Sequence, residues 1–312
     1  MSSSTIRLSP VVIAGQSVVV ESHYKMHLDE IAALWLAMRF ATPDWVARYC
    51  PESVLQLGVG GGAFDEHPTT DNPAKAEDCC TTLMARSLGL SDQPELVQLQ
   101  KFIFNVDVKG NGSPFDLYNL VKQLNEAHPN DPQKVIDWAF LALDAKHAEQ
   151  LDFVESQEAV RMARVITAQN HTGDQYSILI VESDHGSVVR AASHMLQRDW
   201  VALVQRRSNG HTMVFTNKRM PVVLSEVAKH IRIAELGARG RTEPIPAQDF
   251  YKEGFMRDIP WFYNPRGEML LNGSNTTPNV EPSKLTADQV AACVRVGIEA
   301  QWRKLQVASL GR

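Results

Sequence analysis

Three side chains able to hold a divalent cation crowd into one short stretch, His23, His27 and Asp29, with Glu30 directly after them. Imidazole nitrogen and carboxylate oxygen together suit manganese, iron or zinc better than calcium. A second group, Asp65-Glu66-His67, closes the glycine-rich run Gly58-Val59-Gly60-Gly61-Gly62, and a further carboxylate, Asp107, stands between two valines ahead of Gly110. Gathered around a cation, such groups support hydrolysis, because a divalent ion acidifies water and offsets charge on phosphoryl oxygens. Taken singly, each has a plainer reading: helix-end charges and solvated histidines at 23–30, an acidic surface loop at 65–67, a turn or capping residue at 107.

Whether they meet depends on the elements that carry them. The β-branched run through Val18, Val19 and Val20 predicts a strand ending at Ser22, and apolar residues at 31, 34, 35 and 38 predict a helix from 29 to about 41. His23, His27 and Asp29 then occupy a strand-to-helix loop, the edge of α/β sheets where ligands bind. Ser53 to Leu57 reads as a second buried strand running into the glycines, which match neither a Walker loop nor a Rossmann fingerprint. Their freedom at positive φ lets the backbone turn and bring residues 65–67 toward the first loop.

Residues 1–10 read as a loose tail and Val11 to Val20 as a hairpin or two short strands. Helices are expected over 76–88, 94–104 and 115–126, with a long helical pattern from 131 to about 169. Beyond it come a strand at 176–182, a helix at 187–197, and strands at 200–205 and 212–216 flanking the hairpin signal Asn209-Gly210. A segment rich in Pro, Asn, Gly and aromatic residues fills 242–284, and an amphipathic helix is expected over 286–307. The predicted class is α/β: a parallel-sheet domain over 1–125, a connecting helix over 126–170 and a smaller α/β domain over 171–312.

With 312 residues, 44% hydrophobic and 21% charged, the chain can bury a sizeable core. A net charge of -5 argues against binding long duplexes by overall charge. Cys50, Cys79, Cys80 and Cys293 form no Cys-x-x-Cys pair, which suggests a reduced, cytoplasmic setting. Neither a signal peptide nor a membrane span is expected. Positive charge gathers between 198 and 241, where Arg239-Gly240-Arg241 offers paired guanidinium forks that match phosphate oxygens. A solvated basic face accounts for the same run. Asn272-Gly273-Ser274 could turn backbone amides toward an anion or form a plain turn. A His-Glu-x-x-His peptidase is excluded by Tyr24 after the first histidine, and no Gly-x-Ser-x-Gly elbow occurs.

Together, His23-x-x-x-His27-x-Asp29-Glu30, Gly-Gly-Gly-x-Phe-Asp65-Glu66-His67 and Asp107 resemble the DHH phosphoesterase superfamily, and within it the exonuclease family typified by the melanocyte-proliferating-gene product. The resemblance implies a DHH-like domain followed by a DHHA1-like domain, and a two-metal site of manganese type, with zinc, iron or magnesium as other candidates. On this pattern His23 and His27 hold one ion, and Asp29 and Asp107 the other. Asp65 orients a neighbouring ligand, His67 contacts the scissile phosphate, and the Asn272-Gly273-Ser274 turn matches the family's substrate loop. Two departures stand out. Gly58 occupies the place of a bridging aspartate, and Glu66 that of the first histidine of Asp-His-His. Glutamate can still bind a hard cation; glycine cannot.

The function expected is a metal-dependent phosphoesterase, 3′–5′ exonuclease-like, cleaving phosphodiesters in short oligonucleotides or small nucleotides, with a homo-oligomer possible. The rival expectation is a catalytically silent module that binds nucleotides or a protein.

Overall fold

The computed structural model describes residues 5–67, 77–170, 172–220, 222–274 and 277–310, with side chains as far as Lys304. The protein is mixed α/β and divides into two compact units, Met1–Leu151 and Asp152–Arg312. Among the described residues no helix is long and apolar enough to cross a membrane.

In the first unit, β1 (Thr5–Arg7), β2 (Val11–Ile13) and β3 (Gln16–His23) form antiparallel pairs in the order β1-β3-β2. Ala14 and Gly15, both at positive φ, make the two-residue turn of the β2–β3 hairpin, the backbone hand that matches strand twist. The chain then enters α1 (Leu28–Phe40), crosses α2 (Pro43–Tyr49) and returns as β4 (Val54–Gln56), which pairs parallel with β3. The sheet is therefore mixed, and its parallel character among the described residues rests on β3 and β4. It is not the parallel sheet expected for this domain. The extra antiparallel strands come from the N-terminal residues, where β1 uses part of what reads as a tail. Helix α1 is buried on every side from Leu28 to Ala37, as a central helix must be. Around it pack α3 (Cys80–Ser87), α4 (Pro94–Asp107), α5 (Leu117–Ala127) and the start of α6 (Pro132–Arg161). The expected start of α3 at Ala76 lies outside the described residues. Glu77 and Asp78 precede the helix, and Asp78 accepts hydrogen bonds from Thr82 (2.9 Å) and Arg86 (2.8 Å).

The long helix ends at Arg161, and Arg164–Gln169 is a strand, β5, so the helical pattern read through to 169 breaks at Met162-Ala163. In the second unit β5 is followed by β6 (Gln175–Glu182), α7 (Val188–Met195), β7 (Trp200–Arg206), β8 (Thr212–Thr216) and α8 (Ser225–Ala238). Then come β9 (Gly254–Met256), β10 (Ile259–Asn264), β11 (Met269–Asn272) and α9 (Ala287–Leu310). The sheet order is β5-β6-β7-β8-β11-β10-β9, and among the described residues it is parallel only between β6 and β7. The segment 242–284 thus contributes three strands. Helices α8 and α9 cover one face, with Val227, Ile231, Val290, Val294 and Ile298 in the core, while Val188, Ala191 and Ala192 of α7 pack on Leu179 and Leu203 of the other.

Two contacts hold α8 in place. Arg232, fully buried, donates to the carbonyls of Phe250 (2.9 Å), Lys252 (2.8 Å), Gly254 and Trp261 (3.2 Å), and burial pulls its pKa down to about 10. At the α8–α9 crossing, a Cβ on Gly297 would sit 2.6 Å from the Val227 backbone. Gly297→Ala should therefore lower the unfolding free energy by about 2 kcal/mol through overpacking. The check is a lower urea midpoint at unchanged slope; an unchanged midpoint would mean the crossing can relax.

Candidate metal centre

The site begins at the junction of β3 and α1. His27 precedes the first helical residue in extended conformation, and its amide donates to the Glu30 carboxylate at 2.7 Å, half of a capping box. That turn buries both acids: Asp29 is 2% exposed and Glu30 1%. The other Glu30 oxygen accepts from His23 Nδ1, which in the neutral ring leaves the lone pair on Nε2. The same bond raises the His23 pKa, despite the opposing effect of burial. Asp29 takes the amide of Cys80, the first residue of α3, at 3.2 Å, and Thr81 donates to the Asp29 carbonyl at 2.6 Å.

The glycine loop folds back over this junction. Gly58, Gly60 and Gly61 all lie at positive φ, and a Cβ on Gly58 would land on the Glu30 carboxylate. Phe64, packed on Trp45 and Tyr49, anchors the far side of the turn. Asp65 accepts from the Gly61 amide at 2.6 Å and from His67 Nδ1 at 2.7 Å. Although burial alone would raise its pKa, these bonds hold it below the usual range. Asp65 therefore orients His67 as Glu30 orients His23.

The three separated segments converge. The His23 ring lies 6.1 Å from that of His27 and 5.8 Å from that of His67. Ligand atoms of His27, Asp29 and Asp107 fall within 4.8 Å of one another, and so do those of Asp65, Glu66 and His67. His27 thus lies beside the His23 ring and within ligand distance of Asp29 and Asp107. Asp107 is the last residue of α4, not a loop residue, so its carboxylate meets the negative end of that helix.

Without a counter-charge this arrangement is costly. Burial first, then Asp107, Glu30 and Glu66, push the Asp29 carboxyl well above the usual range. Burial likewise raises Asp107 and Glu66. Glu66 Oε2 is buried and has no hydrogen-bond partner among the described residues. An orphaned carboxylate oxygen among buried acids, facing imidazoles oriented by acids, is a donor set that fits a divalent cation.

Glu30 is the member that motif reasoning passed over as a helix-end charge. The sequence did hold a signal, an acid at the third helical position after an N-cap histidine. Tyr118 and Lys122, one turn apart on α5, were also passed over; with Lys25 they line a cleft of about 250 Å3 beside His27. Gly58→Ala tests the Glu30 seat. It should cost about 2–3 kcal/mol, combining a left-handed non-glycine residue with displacement of Glu30. In a Glu30→Ala background the steric part should vanish, leaving about 1 kcal/mol. Equal costs in both backgrounds would show that the two positions do not touch.

The expected anion grip on the second unit looks different in place. Arg239 is bound by Glu235 (2.8 Å) and Glu281 (2.6 Å), and Arg241 by Glu243 (2.7 Å) and Asp258 (3.3 Å). Their forks are engaged by carboxylates, two of them local (Glu235, Glu243) and two distant in sequence (Glu281, Asp258). Asn272 is fully buried, donating to the carbonyls of Pro260 and Glu281 and accepting from the Ser283 amide. Gly273 lies against the His211 ring, which a Cβ would approach to 2.6 Å, and Ser274 closes a turn with Thr277. The Asn272 side chain and the Ser274–Thr277 bridge make this segment a tied-down turn.

No protein-family model and no curated protein matches the chain. Among solved structures, it is similar to an uncharacterized protein from Helicobacter pylori G27 at 9% identity, over 90% of this chain and 98% of that one, with a TM-score of 0.23. A likeness that slight carries no argument.

Proposed function

We propose that the chain is a divalent-metal-dependent phosphoesterase acting on phosphodiesters of short oligonucleotides or small nucleotides. The observation that carries this is the meeting of His23, His27 and His67 with buried Asp29 and half-buried Asp107 and Glu66, whose carboxyls are raised by desolvation and mutual charge. His27, Asp29 and Asp107 would hold one cation, and Glu66 with His67 or His23 a second, manganese being the leading candidate. A bound divalent ion supplies Lewis acidity toward water and charge compensation at phosphoryl oxygens. The protein's own part is orientation. Glu30 and Asp65 hold two imidazoles by Nδ1, so each presents Nε2, and Lys25, Tyr118 and Lys122 border the cleft where a phosphate's substituent would lie.

A second reading, a silent nucleotide- or protein-binding module, is favoured by the glycine at 58 and by the engagement of Arg239 and Arg241 in ion pairs. One set of measurements separates the two. Metal content, p-nitrophenol release from a generic phosphodiester and mononucleotide release from short RNA and DNA are followed with added manganese. Turnover above His23→Ala and Asp29→Ala controls supports the enzyme. Nucleotide binding that survives EDTA, with no metal and no turnover, supports the module.

A further inference from the structure

The second unit carries a cleft of about 590 Å3 between α7 and the strands β8 and β11, a volume in the range of small-molecule sites. Its floor is apolar: Val189 from α7, and Phe215 paired in register with Met269 across β8 and β11. Its rim is cationic, formed by Arg190, Lys218 and Arg219, all exposed. The acid in the lining, Glu268, is turned onto the Thr216 hydroxyl, which donates to it at 3.0 Å. Lys218 and Arg219 thus outnumber the one acid of the lining, above an apolar floor.

The rim is also built to stay in place. Asn217, 1% exposed, donates to the carbonyls of Gln197 (2.6 Å) and Trp200 (2.9 Å) and accepts the Arg219 amide at 3.0 Å. That bolts the turn bearing Lys218 and Arg219 to the start of β7. The Arg190 guanidinium lies over the Phe153 ring, 4.2 Å from its centroid, so it too is held in place. Cations held on a rigid turn lose little freedom on meeting an anion.

We propose that this cleft binds a nucleotide, the planar base against Phe215 and Met269 and the phosphate between Lys218 and Arg219. The assignment stands apart from the metal centre and needs no hydrolysis. The test is calorimetric titration of the full chain in EDTA with AMP, adenosine and inorganic phosphate. AMP should bind with a Kd below about 1 mM, and adenosine and phosphate each at least tenfold more weakly. Arg219→Glu, at an exposed position, should weaken AMP by tenfold or more, and Phe215→Leu should weaken AMP while leaving phosphate unchanged. Asp107→Ala should leave AMP binding intact, whatever its effect on turnover. Absence of AMP binding, equal affinity for phosphate and AMP, an unaffected Arg219→Glu variant, or loss with Asp107→Ala would each overturn the assignment.

Discussion

Asp107→Ala is expected to reduce manganese-dependent phosphodiester hydrolysis by about three orders of magnitude, equivalent to about 4 kcal/mol in the barrier. The reason is positional. Asp107 ends α4, where the helix's own field disfavours a negative charge, and it lies within 4.8 Å of ligand atoms of His27 and Asp29. A carboxylate kept in so unfavourable a place is best explained by a cation that needs it. Because the residue is half-buried and caps no neighbouring element, the variant should fold. Thermal melting in EDTA is the control. Arg241→Ala provides the contrast, since its guanidinium is already engaged by Glu243 and Asp258, and its rate should fall less than threefold, under about 1 kcal/mol. Equal losses in the two variants would remove the case for metal-dependent hydrolysis at this centre.

Manganese should also stabilise the chain, by about 2.7 kcal/mol at a hundredfold excess over its Kd and about pH 7.5. The sign follows from the groups involved. Asp29, Asp107 and Glu66 have folded pKa values raised above their ordinary 3.8, 3.8 and 4.5, first by burial. His23 is raised above 6.5, chiefly by its bond to Glu30. Each raised group contributes stability that is fully present below its unfolded pKa and is lost as pH rises through the folded one. Metal-free protein should therefore lose stability from this cluster as pH climbs from about 4 past neutrality. Asp65 and Glu235, both lowered, work the other way, and their contribution is lost as pH falls below about 4. Asp29→Asn keeps the oxygen that accepts the Cys80 amide but discards the charge. In EDTA near neutral pH it should be more stable than the parent by about 2 kcal/mol, a gain that fades toward pH 4, because an uncompensated buried ion costs several kcal/mol. It should gain little from manganese. Urea titrations at the two pH values, with and without metal, decide the matter, and an Asn variant less stable than the parent in EDTA would contradict it.

The parts of the fold that were legible are those where local chemistry and tertiary packing agree. The β-branched run into β3, the apolar run Ile31–Met38 of α1 and the Asn209-Gly210 hairpin each carry their own geometry, so their places follow from residue type. Elements were lost where local signals compete. β5 follows a helix with only Met162 and Ala163 between, and both neighbours are good helix formers, so the pattern runs on past the true end. β10 holds Pro260, which demotes a strand when read alone; the structure absorbs it with a register shift against β9. At the candidate metal centre the residue types are legible because histidines and acids are conspicuous. Glu30's grip on His23 and the Cys80 amide on Asp29 were not, since both depend on which turn faces which. The ion pairing of Arg239 and Arg241 is only partly local. Glu281 and Asp258, which engage them, lie 42 and 17 residues downstream, beyond any local pattern.

Arg232 sets a condition on the order in which the second unit is made. Among the described residues its guanidinium has no acid beside it and relies on carbonyls from residues 250 to 261, all emerging later from the ribosome. Until they arrive, helix α8 presents an unsatisfied cation on the side meant for the interior, and it cannot settle against the sheet without a large desolvation cost. The earlier strands thus wait for the later ones, and a nascent chain halted before residue 250 would be a natural client for chaperones.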